Sequence, residues 1–297
     1  MDSDFLKEYG AALQKTKHLR NVFVGNKFGK LITYPLTYTF GLISQRIFPP
    51  LCNVPVKNTL FWGDVFYTYG YCADFYLCGF LSDDSEVRFT RFLIKTVNPG
   101  DIFFDIGANF GFFSLLATKL TENKVYAFEP TPTTYDILKR NSRNKNIITN
   151  QIALSNIDGS ADFFIYNNPI FSGVNSFYKE NVQSMCKEPM NRIVVKKMTL
   201  DQYCSSRSVI PSFVKMDVEG SEADVINGGL VCLKKYHPTI VMEVWPEPNQ
   251  ANHQKAIADL LNLEYKLFSI DSNGDLVPLP PERLRNNKYT QNVVLKF

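Results

Sequence analysis

The chain is short of the features that mark whole classes of protein. Its longest apolar run near the N-terminus, LITYPLTYTFGLI at 31–43, is about 13 residues and is broken by Pro35 and Gly41, well under the ~20 that cross a bilayer. The opening MDSDFLKEYG has two early Asp residues and no apolar stretch of the kind a secretion signal needs, so no leader is expected. Charge is nearly balanced, 32 basic against 29 acidic residues for a net +3, which gives no electrostatic case for a nucleic-acid partner. Six cysteines, at 52, 72, 78, 186, 204 and 232, form no CxxC pair and are sparse for a disulfide scaffold, so buried reduced thiols are expected. Repeats and low-complexity tracts are missing as well. These absences point to a soluble, cytoplasmic globular protein, and with 297 residues at 45% hydrophobic content it can bury a substantial core. One counter-signal is basic: Lys15, Lys17, Arg20, Lys27 and Lys30 precede the aromatic run, a pattern by which residues 15–50 would lie on a membrane surface.

From residue 101 onward short β-rich runs alternate with helical ones. DIFFDIG, KVYAFEP and NIITNQIAL read as strands, with FFSLLATKL and TTYDILKRNSRN as the helices between them. That rhythm implies right-handed crossovers and a doubly wound, mostly parallel α/β sheet. ADFFIY and IVVKKM are extra strands around a polar loop at 167–192, followed by PSFVKMDVEG, PTIVMEV and YKLFSI, and by TQNVVLKF at the end; about seven core strands result. Residues 1–84 lack the rhythm and are expected to form a mostly helical, aromatic-rich cap, irregular around 52–70, with the main domain at 85–297. In FWGDVFYTYGY the residues Trp62, Phe66, Tyr67, Tyr69 and Tyr71 suit hairpin packing and also suit stacking on sugar rings.

In a doubly wound sheet ligands sit beyond the carboxyl ends of the strands. GANFG, residues 107–111, occupies that place after the first strand. Gly107 and Gly111 permit a sharp turn and a close approach, Ala108 and Asn109 lie between them, and Asn109 can cap the helix that follows. The GxxxG spacing lacks the middle glycine of the dinucleotide fingerprint. Glu129 ends the second strand about 22 residues past Gly107, where an acid that accepts from ribose hydroxyls is expected. In VKMDVEGSE, Asp217 and Glu219 end a strand with Lys215 beside them, and Glu243 ends the next strand; all three acids should face the same crevice, although Glu219 and Glu222 also suit a first helical turn. His237 sits at a strand entrance and reads as structural, His253 is an alternative base, and His18 carries no signal.

Taken together, VNPGDIFFDIGANFGFFSLLA, KVYAFEPTPTTYDILKRN, QIALSNIDGSADFF, NSF, MTLDQY, FVKMDVEGSEADVINGG and PTIVMEV resemble the FkbM family of S-adenosylmethionine-dependent methyltransferases, over about residues 97–245 and in family order. The resemblance implies a class I methyltransferase fold, Rossmann-like, with a seven-stranded, mostly parallel sheet whose last strand runs antiparallel, a role TQNVVLKF suits. It implies that Asp105, Gly107 and Gly111 hold the methionine part of S-adenosyl-L-methionine and that Glu129 binds the ribose. Phe128 and Pro130 would flank the adenosine, and Ala153, Leu154 and Ser155 would approach the adenine, with Asp158 and Gly159 turning beyond. Asp217 would serve both cofactor and catalysis, together with Glu219 and Glu243. Asn175 and Ser176 match the family's short Asn-Ser motif and, with Lys215, are candidates for the acceptor. The implied activity is O-methylation of a sugar, glycan or glycosylated metabolite. A carboxylate can take the hydroxyl proton directly, or Asp217 and Glu243 can hold Mg2+, as in distantly similar macrolide-sugar enzymes. Rival readings are N- or carboxyl methylation of a small metabolite and a catalytically silent cofactor-binding module; Asp105, Glu129 and Asp217 together count against the latter.

Overall fold

The computed structural model describes residues 2–17, 54–69, 74–75, 78–166, 175–177, 190–245, 251–284 and 289–297. Its centre is a sheet of five parallel strands: β3 (Phe103–Ile106), β4 (Val125–Phe128), β5 (Ile147–Asn150), β9 (Phe213–Met216) and β10 (Thr239–Val244). β13 (Gln291–Lys296) pairs antiparallel with β10, as expected for the last strand. β11 (Lys266–Ile270) runs antiparallel to β13, and the short β12 (Leu276–Pro278) adds an eighth strand at the edge. The full order is β12-β11-β13-β10-β9-β3-β4-β5, the doubly wound arrangement predicted.

Alternation within each strand builds a core on both faces of this sheet. Phe104, Ile106, Val214, Met216, Ile240 and Met242 join one apolar cluster. Their neighbours Phe103, Phe213, Val241 and Val294 join the other, with the Phe103 and Phe213 rings stacked at 5.1 Å. Each such side chain contributes about 2–3 kcal/mol by leaving water, so burial on both faces fixes the register of the central strands.

Two expectations change. The strand read across NIITNQIAL divides in two, because the buried Asn150 binds the carbonyls of Ala127 and Ile148 and accepts from Tyr203. The chain leaves the main sheet there and enters a second one, where β6 (Ala153–Leu154), β7 (Gly159–Tyr166) and β8 (Met190–Met198) pair in the order β6-β8-β7. Secondly, the stretch expected to be irregular contains a hairpin, β1 (Pro55–Thr59) against β2 (Val65–Tyr69), with Phe66, Thr68 and Asn58 buried. Within the region read as mostly helical, the helix Asp2–Lys15 is described and residues 18–53 lie outside the described residues.

Across position 84, Tyr9, Leu60 and Phe66 share one apolar cluster with Phe89, Phe92 and the sheet residues Phe103 and Phe213. Polar contacts fix the hairpin further. Asp64 pairs with Lys119 and Lys145 at 3.0 Å, Asn141 binds both backbone groups of Tyr67, and Arg140 covers the Tyr67 ring at 3.5 Å.

Cys78, Cys204 and Cys232 are free and buried; Cys52, Cys72 and Cys186, like Tyr71 and His18, lie outside the described residues. Most of the segment read as membrane-facing does too. Among the described residues no helix is long and apolar enough to cross a membrane.

Candidate active site

The chain winds from β3 through β4 to β5 on one side of the sheet and places β9 and β10 on the other, so the order reverses between β3 and β9. A crevice opens at such a switch point. Here it is a cleft of about 590 Å3, counted to its open mouth. Its floor comes from the ends of β3 and β9, with Gly107, Asn109, Asp217 and Glu219; Glu129, Pro130, Ala153 and Leu154 line one wall and Asn175 reaches it from the second sheet.

The glycines are required by protein contacts. A Cβ on Gly107 would overlap the Asp217 carbonyl, and one on Gly111 would meet Leu138, while both residues have φ in the left-handed region, +76° and +91°. Gly107 therefore lets β3 and β9 meet where the crevice begins. Gly111 itself is the N-cap of the helix Phe112–Ala117, and Asn109 adopts φ 49° two residues before it, so the capping role read for Asn109 does not hold. Ala108 packs with Ala127 and Leu138.

Glu129 is 7% exposed, and its Oε1 accepts from the Thr131 N–H at 2.9 Å. Burial raises its pKa to about 7, against the lowering effect of hydrogen bonds from Thr131 and the Asn109 backbone. Asp105 lies beneath the cleft, fully buried, accepting from Ser114 Oγ at 2.6 Å. Lys215 is buried beside it. Its Nζ donates to the Gly107 carbonyl at 2.9 Å and stands 3.4 Å from both Asp105 and Asp217. Burial alone would depress the ammonium pKa, but Asp217, Asp105 and Glu86 raise it above the ordinary value. Lys215 thus joins the two strand ends from below and does not line the cleft.

Asp217, Glu219 and Glu243 bring carboxylate oxygens within 4.8 Å of one another. Desolvation and the charge of Asp217 push both Glu219 and Glu243 well above the usual carboxylate range, with further repulsion from their acidic neighbours. Glu243 accepts from Trp245 Nε1 at 2.9 Å. Glu86, on the helix Asp84–Thr96, feels the same field; desolvation and Asp217 bring its pKa to about 7. It is a fourth acid that sequence reasoning missed, because its position in a first helical turn gave it an ordinary explanation.

Asn175 Oδ1 accepts from the Tyr166 N–H at 3.1 Å. Ser176 pairs its backbone with Phe164 and donates Oγ to the Glu219 carbonyl at 2.8 Å, so it pins the acidic turn and lies off the cleft surface. Ser155 is buried with its carbonyl against Gly228. Asp158 accepts from the Thr199 N–H at 2.7 Å, outside the cleft lining. His237 caps a helix in the left-handed region and stacks on Phe297 at 3.7 Å. His253, the alternative base, is fully buried in the helix Ala251–Asn262, 3.3 Å from Glu222, and does not open on the crevice.

Phe163 and Phe177 complete the cleft from the second sheet, their rings edge-on at 4.9 Å. The alternation of ADFFIY, and the Phe directly after Asn175 and Ser176, were the signals that could have found them. Ile106, Thr131, Ile152, Val218 and Ser221 also line it, each within two positions of a residue already singled out.

A family model described as the methyltransferase FkbM domain matches residues 105–267. Among curated proteins the chain is 29% identical over 154 residues to the hexuronic acid methyltransferase AglP of Haloferax volcanii, covering 51% of this chain and 59% of that one. It is 28% identical over 149 residues to Methyltransferase 1 of Beauveria bassiana, covering 44% of this chain and 59% of that one. The chain therefore spans about three fifths of the length of these relatives. Of solved structures, a methyltransferase FkbM from Methylobacillus flagellatus is 15% identical, with a TM-score of 0.41 and coverage of 67% of this chain and 44% of the other.

Proposed function

The chain belongs to the FkbM methyltransferase family, and from that premise we propose that it binds S-adenosyl-L-methionine in the switch-point cleft and methylates a hydroxyl of a sugar, glycan or glycosylated metabolite. One observation supports the reading: Glu129 after β4 and Asp217 and Glu219 after β9 line a single cleft, and Glu243 from β10 brings its carboxylate within 4.8 Å of the latter two. The name of the Haloferax volcanii relative supports a sugar-derived acceptor.

The residues suit the cofactor. Glu129, held by backbone amides, offers a fixed carboxylate to the paired hydroxyls of a ribose, and charge-assisted hydrogen bonds of this kind are the strong ones. Pro130, Ile152, Ala153, Leu154, Phe163 and Phe177 provide apolar walls for an adenine ring. When bound, S-adenosyl-L-methionine supplies an activated methyl group on a positive sulfur. Asp217, on the cleft floor above Asp105 and Lys215, stabilises that positive charge electrostatically.

A hydroxyl is a poor nucleophile until its proton has somewhere to go. Glu219 lines the cleft and has a raised pKa, which matches a base that works near neutral pH. The bound cofactor would supply the methyl group to the acceptor oxygen and retain the electron pair of its sulfur–methyl bond, and Glu219 would take the hydroxyl proton. A second reading follows from the same cluster: three carboxylates within 4.8 Å are a hard donor set for Mg2+, which would acidify the acceptor hydroxyl. Asp217, Glu219 and Glu243 would hold it.

The test is transfer of a radiolabelled methyl group from S-adenosyl-L-methionine to a panel of free sugars, glycosides, amines and carboxylic acids, with Mg2+ or with chelator. The expected product is an alkali-stable methyl ether on a hydroxyl acceptor. Label in an amine or in an alkali-labile ester would replace the O-methyl reading, and cofactor binding without transfer would favour a silent module.

A further inference from the structure

Asp217 and Glu219 sit just past the end of β9, and Glu243 lies one residue before the end of β10, still paired with Asn292 of β13. The parallel ladder between β9 and β10 ends at Met216 and Met242, one residue before Asp217 and Glu243. Glu219, two residues further, has φ 55°, a left-handed conformation that a non-glycine residue keeps only when its surroundings over-determine it. Those surroundings are specific. Ser176 Oγ holds the Glu219 carbonyl, Asn252 Nδ2 holds the Gly220 carbonyl, each at 2.8 Å, and Glu222 Oε1 accepts from the Val218 N–H at 3.2 Å.

The other oxygen of Glu222 faces His253 Nδ1 at 3.3 Å, with both side chains 0–1% exposed. The His253 ring lies edge-on to Trp245 at 5.1 Å, and Trp245 donates to Glu243. A continuous path of buried groups therefore runs from the Val218 amide through Glu222, His253 and Trp245 to the Glu243 carboxylate. Nothing in the proposed reaction uses Glu222 or His253 directly, and an unneeded buried pair of this kind is costly relative to apolar packing.

We propose that Glu222 and His253 form a buried clamp that positions Glu219 and Glu243 against one another, Trp245 carrying the contact to Glu243. The proposal rests on the methyl-transfer reading only for its catalytic consequence. Glu222 and His253 face one another at 3.3 Å, both buried, so their packing fixes the position of each. Second-layer partners of this type fix the orientation of the groups that do chemistry.

The experiment uses the full chain with His253→Phe, which keeps an aromatic ring and removes both nitrogens, and with Trp245→Phe, which removes the N–H that reaches Glu243 together with part of the indole ring system. Glu222→Gln is the conservative variant. Hydrogen exchange by mass spectrometry over residues 214–226 reads the clamp without any turnover. His253→Phe should exchange faster there and nowhere else, Glu222→Gln should stay close to the parent, and Trp245→Phe should leave the exchange unchanged. In turnover assays, His253→Phe and Trp245→Phe should lower kcat on the order of 10- to 100-fold with acceptor KM and cofactor affinity unchanged. Parental exchange and kcat in His253→Phe would overturn the clamp, as would a loss of kcat, cofactor affinity and thermal stability together. Should His253→Phe fail to fold, parental kcat in Trp245→Phe would overturn it equally. If the parent methylates no acceptor in the panel, the proposed function fails, and the exchange data still decide the clamp.

Discussion

Glu129 and Glu219 both follow the carboxyl end of a parallel strand, both line the same cleft, and both have pKa values raised above the ordinary range. Their surroundings differ in kind. Glu129 is the lone acid of its wall, and donors from Thr131 and Asn109 partly offset its burial. Glu219 stands among Asp217, Glu243 and Glu222, whose charges add to its desolvation. A carboxylate aimed by fixed amides is suited to receive hydroxyl donors from a ligand, whereas one raised by its neighbours is suited to take up a proton. In the proposed function, binding therefore falls to the Glu129 end of the cleft and chemistry to the Glu219 end.

Substitutions that leave shape intact separate the two ends. The largest effect is expected for Glu219→Gln: kcat should fall on the order of 10²- to 10⁴-fold while cofactor affinity holds. In the parent, kcat should rise with pH through a limb above the ordinary carboxylate range, because the proton acceptor must be deprotonated and its pKa is raised. A rate limb in the usual carboxylate range, or near-parental kcat in Glu219→Gln, would break the comparison at the chemical end.

A smaller effect is expected at Glu129, and its sign follows from linkage. The folded pKa of about 7 exceeds the 4.5 of a free glutamate side chain, so the folded chain holds the extra proton between those values and loses stability as pH rises from 4.5 through 7. The full penalty, present at pH 8, is at most about 3 kcal/mol. Glu129→Gln should therefore raise the Tm of the ligand-free protein by roughly 2–6 °C at pH 8 and leave it unchanged at pH 4. Thermal scans at the two pH values check this, and an equal Tm at pH 8 would mean that Glu129 bears no such strain.

Much of this arrangement was legible in the residues. The alternation from DIFFDIG onward announced the parallel sheet, and strand ends placed Gly107, Glu129, Asp217 and Glu219 on one crevice. Less legible were features decided by tertiary contact. Lys215 sits between Val214 and Met216 in a strand whose residues are all buried, so position alone could not tell a ligand-facing amine from one sealed under the floor. Gly107 was read as leaving room for a ligand; it lines the cleft, and its missing side chain also makes room for the Asp217 carbonyl, which the sequence did not show. The exit at Asn150 depends on a side chain that binds carbonyls on two strands, and the clamp at Glu222 depends on a histidine 31 positions away. Such pairings leave no periodic trace in sequence.

The most direct measurement is calorimetric titration with S-adenosyl-L-methionine of the parent, Glu129→Ala and Glu219→Gln, side by side at neutral pH. The account predicts binding by the parent, a loss on the order of 10- to 100-fold in Glu129→Ala, and parental affinity in Glu219→Gln. Equal weakening in both variants, or none in Glu129→Ala, would contradict the division of the cleft into a binding end and a chemical end.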